Sequence, residues 1–153
     1  MKSFVSFLLI TSISFLACHN VSAQKQKVNK AEAGIQFIEN DWKLALKNAK
    51  DQNKLVFLDI YATWCGPCKM LKQYTFSDKA IGDFFNKNFI NISIDGEKGV
   101  GPQLAQQYSI EGYPTLVVAD STGKPVLITA GYLPTDVLMQ FANEALKRNK
   151  SAN

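Results

Sequence analysis

Two cysteines one helical turn apart, Cys65 and Cys68, hold most of the reactive chemistry of this 153-residue chain. They lie in the run Asp59-Ile60-Tyr61-Ala62-Thr63-Trp64-Cys65-Gly66-Pro67-Cys68-Lys69. The pattern places the thiols at the first turn of a helix, close enough to form a disulfide with each other. Unpaired N–H groups and the helix dipole favour negative charge there. A thiol at that position has a lowered pKa, and the thiolate it yields is the species that attacks a disulfide. Pro67 costs little in a first turn, where its missing N–H would be unpaired anyway. Gly66 leaves the approach to Cys65 free of a side chain.

Asp59 is the third candidate. Strand periodicity puts it on one face with Leu55, Phe57 and Tyr61, while Val56, Leu58 and Ile60 take the other. A strand apolar on both faces is buried. A carboxylate there is hard to ionise, so its pKa rises and it can carry a proton near neutrality. Its place beneath the motif suits it to serve Cys68, the inner thiol. A carboxylate held only by structural hydrogen bonds is the bland alternative.

The thiols have bland readings too. A purely structural disulfide across so short a loop removes only about 2 kcal/mol of unfolded-chain entropy. Half a zinc site would need about two further ligands. The remaining cysteine and the only histidine, Cys18 and His19, fall in the N-terminal leader. No metal and no organic cofactor is therefore expected.

Length suits one domain with a sizeable core. A hydrophobic content of 46% and a charged content of 20% are ordinary for a globular protein. The net charge of +4 is small and scattered, with no basic and aromatic stripe, which argues against nucleic acid. Residues 1–23 read as a secretory signal: Lys2, the apolar stretch Phe4–Ala17, then Val21-Ser22-Ala23. Phe15-Leu16-Ala17-Cys18 keeps lipidation at Cys18 open as the one route to a membrane. Residues 24–33 read as a flexible linker and 34–153 as the folded domain. An exported chain meets an oxidising compartment, periplasmic or otherwise extracytoplasmic.

At this point the motif resembles a known family. The run from Asp59 to Lys69 resembles the active-site segment of thioredoxins, and Ile110-Glu111-Gly112-Tyr113-Pro114-Thr115 resembles their cis-proline segment. The arm after the thiols, Tyr74-Thr75-Phe76-Ser77-Asp78, is more similar to extracytoplasmic thioredoxin-like proteins, including the terminal domain of the transmembrane disulfide reductase. The resemblance implies an α/β thioredoxin fold, with helices on both faces of a mixed central sheet. It implies a thiol–disulfide oxidoreductase acting on disulfide-containing client proteins, with a transmembrane disulfide reductase as electron donor. It implies a cis peptide before Pro114, leaving the Tyr113 backbone free to pair with an extended substrate. Trp64 then covers the dithiol, and Gly131 stands where a side chain would crowd the motif. One departure is visible. Thioredoxins usually carry a Lys near the buried Asp, and counting back from Asp95 that position holds Asn91 here.

The elements that must position these residues follow in order. Ile35–Ile38 reads as a first strand. A helix capped by Asn40 or Asp41 buries Trp42, Leu44, Ala45, Leu46 and Ala49. Leu55–Tyr61 is the central strand. The helix from Gly66 breaks at Thr75–Asp78 and restarts, and Phe89–Asp95 is the next strand. Gln103–Tyr108 is a short helix. Thr115–Ala119 and Pro125–Ala130 form a hairpin. A last helix over Pro134–Lys147 buries Val137, Leu138, Phe141, Ala142, Ala145 and Leu146. Tyr61, Met70, Phe84 and Phe141 read as core.

Overall fold

A computed structural model of the chain describes residues 33–152. The expected leader, with Cys18 and His19, and the linker up to residue 32 lie outside the described residues. Five strands form one sheet in the order β1-β3-β2-β4-β5. The strands are β1 (Ile38–Glu39), β2 (Leu55–Tyr61), β3 (Phe89–Asp95), β4 (Thr115–Ala119) and β5 (Pro125–Ala130). β1 and β2 run parallel to β3, β4 is antiparallel to β2, and β5 is antiparallel to β4. This is the mixed sheet of the thioredoxin fold.

β2 sits at the centre because its residues are apolar on both faces. Leu55 and Phe57 enter one core with Phe76, Phe85 and Leu138. Val56, Leu58 and Ile60 enter a second core with Ala45, Ala49 and Leu104. Helices cover both faces: α1 (Trp42–Gln52), α2 (Gly66–Met70), α3 (Lys79–Asn88), α4 (Gly101–Gln107) and α5 (Thr135–Ala152). Phe57 is fully buried, with the Phe85 ring 4.6 Å away and the Phe76 ring edge-on at 6.0 Å. Full burial of one such side chain contributes about 1.5–3 kcal/mol.

Local chemistry starts the helices. The Asp41 carboxylate accepts from the Leu44 N–H at 3.0 Å and caps α1. Asp78 does the same for α3 through Ile81. Each such cap is worth about 1 kcal/mol.

Several elements differ from the sequence expectation. β1 is two residues long and begins at Ile38, because the Ile35 N–H bonds to the Phe76 carbonyl instead of entering the ladder. Leu44 and Val137 are exposed at 42% and 38%, since each lies at the solvent edge of its helix stripe. Met70 is also exposed and is not core. α2 passes at Leu71 into a π-helical turn, Leu71–Thr75, before the chain breaks. α4 begins two residues earlier than expected and α5 runs five residues further.

Candidate active site

β2 delivers the chain to the cysteines through one tight turn, in which the Cys65 N–H bonds to the Ala62 carbonyl at 3.1 Å. Cys65 is the N-cap of α2, with Gly66 and Pro67 in its first turn. The Cys68 N–H donates to Cys65 Sγ at 3.1 Å. Cys65 and Cys68 form a disulfide, with S–S 2.09 Å and Cα–Cα 5.4 Å. An N–H donated to a sulfur favours negative charge on it.

An unblocked sulfur was expected, and this expectation fails for the oxidised pair. Cys65 is only 2% exposed and Cys68 3%. With its sulfur turned onto Cys68, Cys65 packs with Ala62 under the Tyr61 and Tyr113 side chains. Gly66 and Pro67 remain exposed, and a Cβ on Gly66 would meet nothing within 4 Å. The open ground therefore lies beside the disulfide, over the first turn of α2.

Trp64 flanks that ground and is 68% exposed. Its indole Nε1–H donates to Glu97 Oε1 at 3.0 Å, and its ring meets Tyr113 edge-on at 6.0 Å. Tyr113 in turn lies against Gly96, where a Cβ would fall 2.5 Å from the Tyr113 ring. Glu97 and Gly96 belong to the loop after β3. Sequence spacing gave no reason to join that loop to the motif.

The Tyr113–Pro114 peptide is cis. Pro114 is buried, and its carbonyl accepts from the Gly131 N–H at 2.8 Å. Gly131 is not held small by crowding, which corrects the sequence reading. A Cβ there would meet nothing within 4 Å, but its φ of +92° is one that L side chains rarely adopt.

Asp59 lies on β2 at 1% exposure. Its β3 neighbour is Ser93, whose hydroxyl donates to Asp59 Oδ2 at 3.1 Å. Asp59 Oδ1 has no hydrogen-bond partner. Burial pushes the Asp59 pKa up to about 6, against the opposing pull of the Lys72 ammonium and the Ser93 hydrogen bond. The position marked in the sequence, Asn91, lies on the same face as Asp59 but two positions away along the ladder. It pairs with Phe57 in the ladder, and its amide donates to Asn86 Oδ1. The cation that acts on Asp59 comes from Lys72 on the π-helical turn, whose ammonium lies 3.8 Å from the centre of the Tyr61 ring. Among the described residues, no cluster of three or more His, Cys, Asp or Glu could hold a metal.

A parallel–antiparallel sheet in this order, with a Cys-X-X-Cys disulfide at a helix start beside its central strand, defines the thioredoxin class of thiol–disulfide oxidoreductases. A family model described as a thioredoxin-like domain matches residues 42–146, and the chain belongs to that family. A thioredoxin H-type of Fagopyrum esculentum is 31% identical over 105 residues, which cover 69% of this chain and 84% of that protein. The thiol:disulfide interchange protein DsbD of Actinobacillus pleuropneumoniae is 27% identical over 101 residues, covering 64% of this chain and 17% of DsbD. This chain thus spans less than a fifth of the DsbD proteins it matches. Among solved structures, a candidate disulphide-isomerase from Bacteroides thetaiotaomicron has a TM-score of 0.68 at 38% identity, over 74% of this chain and 94% of that one. The oxidised C-terminal domain of Neisseria meningitidis DsbD has a TM-score of 0.59 at 24% identity, over 71% and 98%, a likeness of fold alone.

Proposed function

We propose that the protein is an exported disulfide reductase working through the Cys65–Cys68 couple. The observation that carries this reading is the Cys68 N–H aimed at Cys65 Sγ at the head of α2. In the reduced protein the Cys65 thiolate attacks one sulfur of a client disulfide. A mixed disulfide forms and the first client thiolate leaves. Cys68 gives its proton to Asp59 and attacks Cys65 Sγ. The Cys65–Cys68 disulfide closes and the second client thiolate departs, so two electrons pass from the dithiol to the client. An Asp59 pKa of about 6 leaves the carboxylate ionised and ready to accept that proton at neutral pH.

Client docking falls to Trp64, Gly66, Pro67, Tyr113, Pro114 and Gly131. An extended client strand laid along Tyr113 would use backbone pairing, a form of β-addition. Export rests on the leader over residues 1–23 and the linker over 24–33, with lipidation at Cys18 as the other fate of that segment. Re-reduction from a transmembrane disulfide reductase is supported by the match to DsbD. Among the described residues no helix is long and apolar enough to cross a membrane.

The 2% exposure of Cys65 favours a second reading, a binding or carrier module whose disulfide stays closed. Insulin reduction driven by dithiothreitol separates the two. The reductase reading expects turnover, its loss in Cys65→Ser, and a trapped mixed disulfide in Cys68→Ser. Absence of turnover in the unsubstituted protein, or turnover indifferent to both substitutions, contradicts it. Direction is a separate matter. A couple near about −270 mV is a reductant and one near about −120 mV an oxidant.

A further inference from the structure

Ser93 has a second face besides the one it turns to Asp59. It is 1% exposed, yet it lines a cleft of about 270 Å³ on the β1 side of the sheet. The floor of the cleft is apolar, from Ile35, Phe37 and Phe76, and its polar groups are Glu39, Lys72, Ser77 and Ser93. Ala33 and Ser77 on its wall are exposed, so the cleft is open to solvent. Its volume is ample for several waters at about 30 Å³ each, and it offers polar partners for them. Ser93 is the one hydrogen-bond partner of the Asp59 carboxylate among the described residues.

We propose that Ser93 is the positioning residue of the redox site: its hydroxyl tethers Asp59 and links it to this cleft, the route by which the Asp59 proton leaves for solvent. The inference rests on the reading of Asp59 as the proton carrier for Cys68. A hydroxyl suits the task because it donates and accepts at once. While Asp59 is ionised, the Ser93 O–H donates to Oδ2. Once Asp59 has taken the Cys68 proton, its O–H donates to Ser93 Oγ, and the serine proton turns toward a water in the cleft. Transfer along that line delivers one proton to solvent and restores Ser93 unchanged.

The groups facing Asp59 come from four elements. Ser93 on β3 supplies the hydrogen bond. Lys72 on the π-helical turn favours the carboxylate, and Glu39 on β1 opposes it. Leu116 of β4 pairs with Asp59 on the far side and brings no charge. Tyr61 and Asp95 lie further along β2 and β3, the latter held by Lys98 at 3.0 Å.

The test is the pH profile of insulin reduction by the full chain in Ser93→Val, Ser93→Thr and Asp59→Asn. Ser93→Val removes the hydrogen bond to the charged form, which raises the Asp59 pKa. The acidic limb should move up by about one pH unit, a roughly tenfold lower rate below pH 6. Ser93→Thr, which keeps the hydroxyl, should restore the limb. Ser93→Ala makes the same measurement if valine does not fit. Ser77→Trp narrows the cleft without touching Asp59 and should lower the rate at least about twofold with the limb unmoved, since it acts on the route and not on the tether. An unshifted limb in both Ser93→Val and Ser93→Ala, while Asp59→Asn slows turnover, overturns the tether and leaves the Asp59 reading intact. An unchanged rate in Ser77→Trp overturns the cleft as the route. An Asp59→Asn variant with wild-type rate and profile removes the Asp59 reading itself, and the Ser93 proposal with it.

Discussion

Asp59 and Asn91 make an instructive pair. Both are buried on the same face of adjacent strands, at 1% and 5% exposure. Each leaves one side-chain oxygen without a partner, Asp59 Oδ1 and Asn91 Oδ1. Their surroundings then diverge. Asn91 donates to Asn86, which accepts from the Gln36 N–H at 2.9 Å and donates to the Gly34 carbonyl at 3.0 Å. That network fastens the segment before β1 onto α3; it holds no acid, and the Lys54 ammonium donates to the Asn86 backbone carbonyl at 3.4 Å. Asp59 has a single hydroxyl partner, a cation and an anion within electrostatic reach, and a pKa moved to about 6. Burial of a polar group is common to both. What singles out Asp59 is a charge that can change near neutrality, which suits it to the proposed role of proton carrier.

The sharpest way to break this contrast is to give Asn91 the same chemistry. Asn91→Asp should cost about 4 kcal/mol of folding stability at pH 7, since the new carboxylate is buried and can no longer donate to Asn86 Oδ1. The loss should shrink as pH falls toward 4 in denaturant titrations of the oxidised protein. Next comes Asp59→Asn. The folded-state pKa of Asp59 is raised, so its contribution is fully present below the unfolded value of 3.8 and is lost as pH rises through about 6. The unsubstituted protein should therefore lose about 2 kcal/mol between pH 4 and pH 6 from this group alone, and about 3 kcal/mol over the whole span from below pH 3 to above pH 7. Asp59→Asn should abolish that slope and be the more stable protein above pH 6, while reducing insulin more slowly. A smaller effect is expected from Asn86→Ala. It should cost about 2 kcal/mol through its lost hydrogen bonds, measured by thermal denaturation, and leave the pH profile of reduction unmoved. Smallest is Lys72→Met. Removing the ammonium should raise the acidic limb by about half a pH unit, because Lys72 holds the Asp59 pKa down and sits exposed to solvent screening.

The sequence revealed different parts of the molecule unequally. β2, β3, β4 and β5 begin and end where their apolar runs predict, because a buried strand must be apolar along its length. The α1 cap was narrowed to Asn40 or Asp41, and the structure uses Asp41, since capping is a local hydrogen bond. β1 was misplaced: Ile35 and Phe37 look like strand residues, but they pack on Phe76 and the Phe57 face while only Ile38 and Glu39 reach the ladder. The polar tail of α5 carried no apolar stripe to announce that the helix continues. At the site, Cys65, Cys68 and Asp59 were legible because their spacing is local. Ser93, Lys72 and Glu97 were not. Ser93 meets Asp59 through strand register over 34 positions, and Glu97 meets Trp64 over 33. The burial of Cys65 was missed for a similar reason. The side chain that closes over it, Tyr113, arrives from a distant loop.

Once the pair is reduced, Cys65 should become a stabilised thiolate. The direct measurement is the rate of iodoacetamide alkylation at Cys65 against pH, read by mass spectrometry on the dithiothreitol-reduced chain. Cys65 should react ahead of Cys68, with a midpoint well below the free-thiol value of about 8.5. A midpoint at or above that value, or a disulfide that dithiothreitol does not open in the native protein, contradicts it.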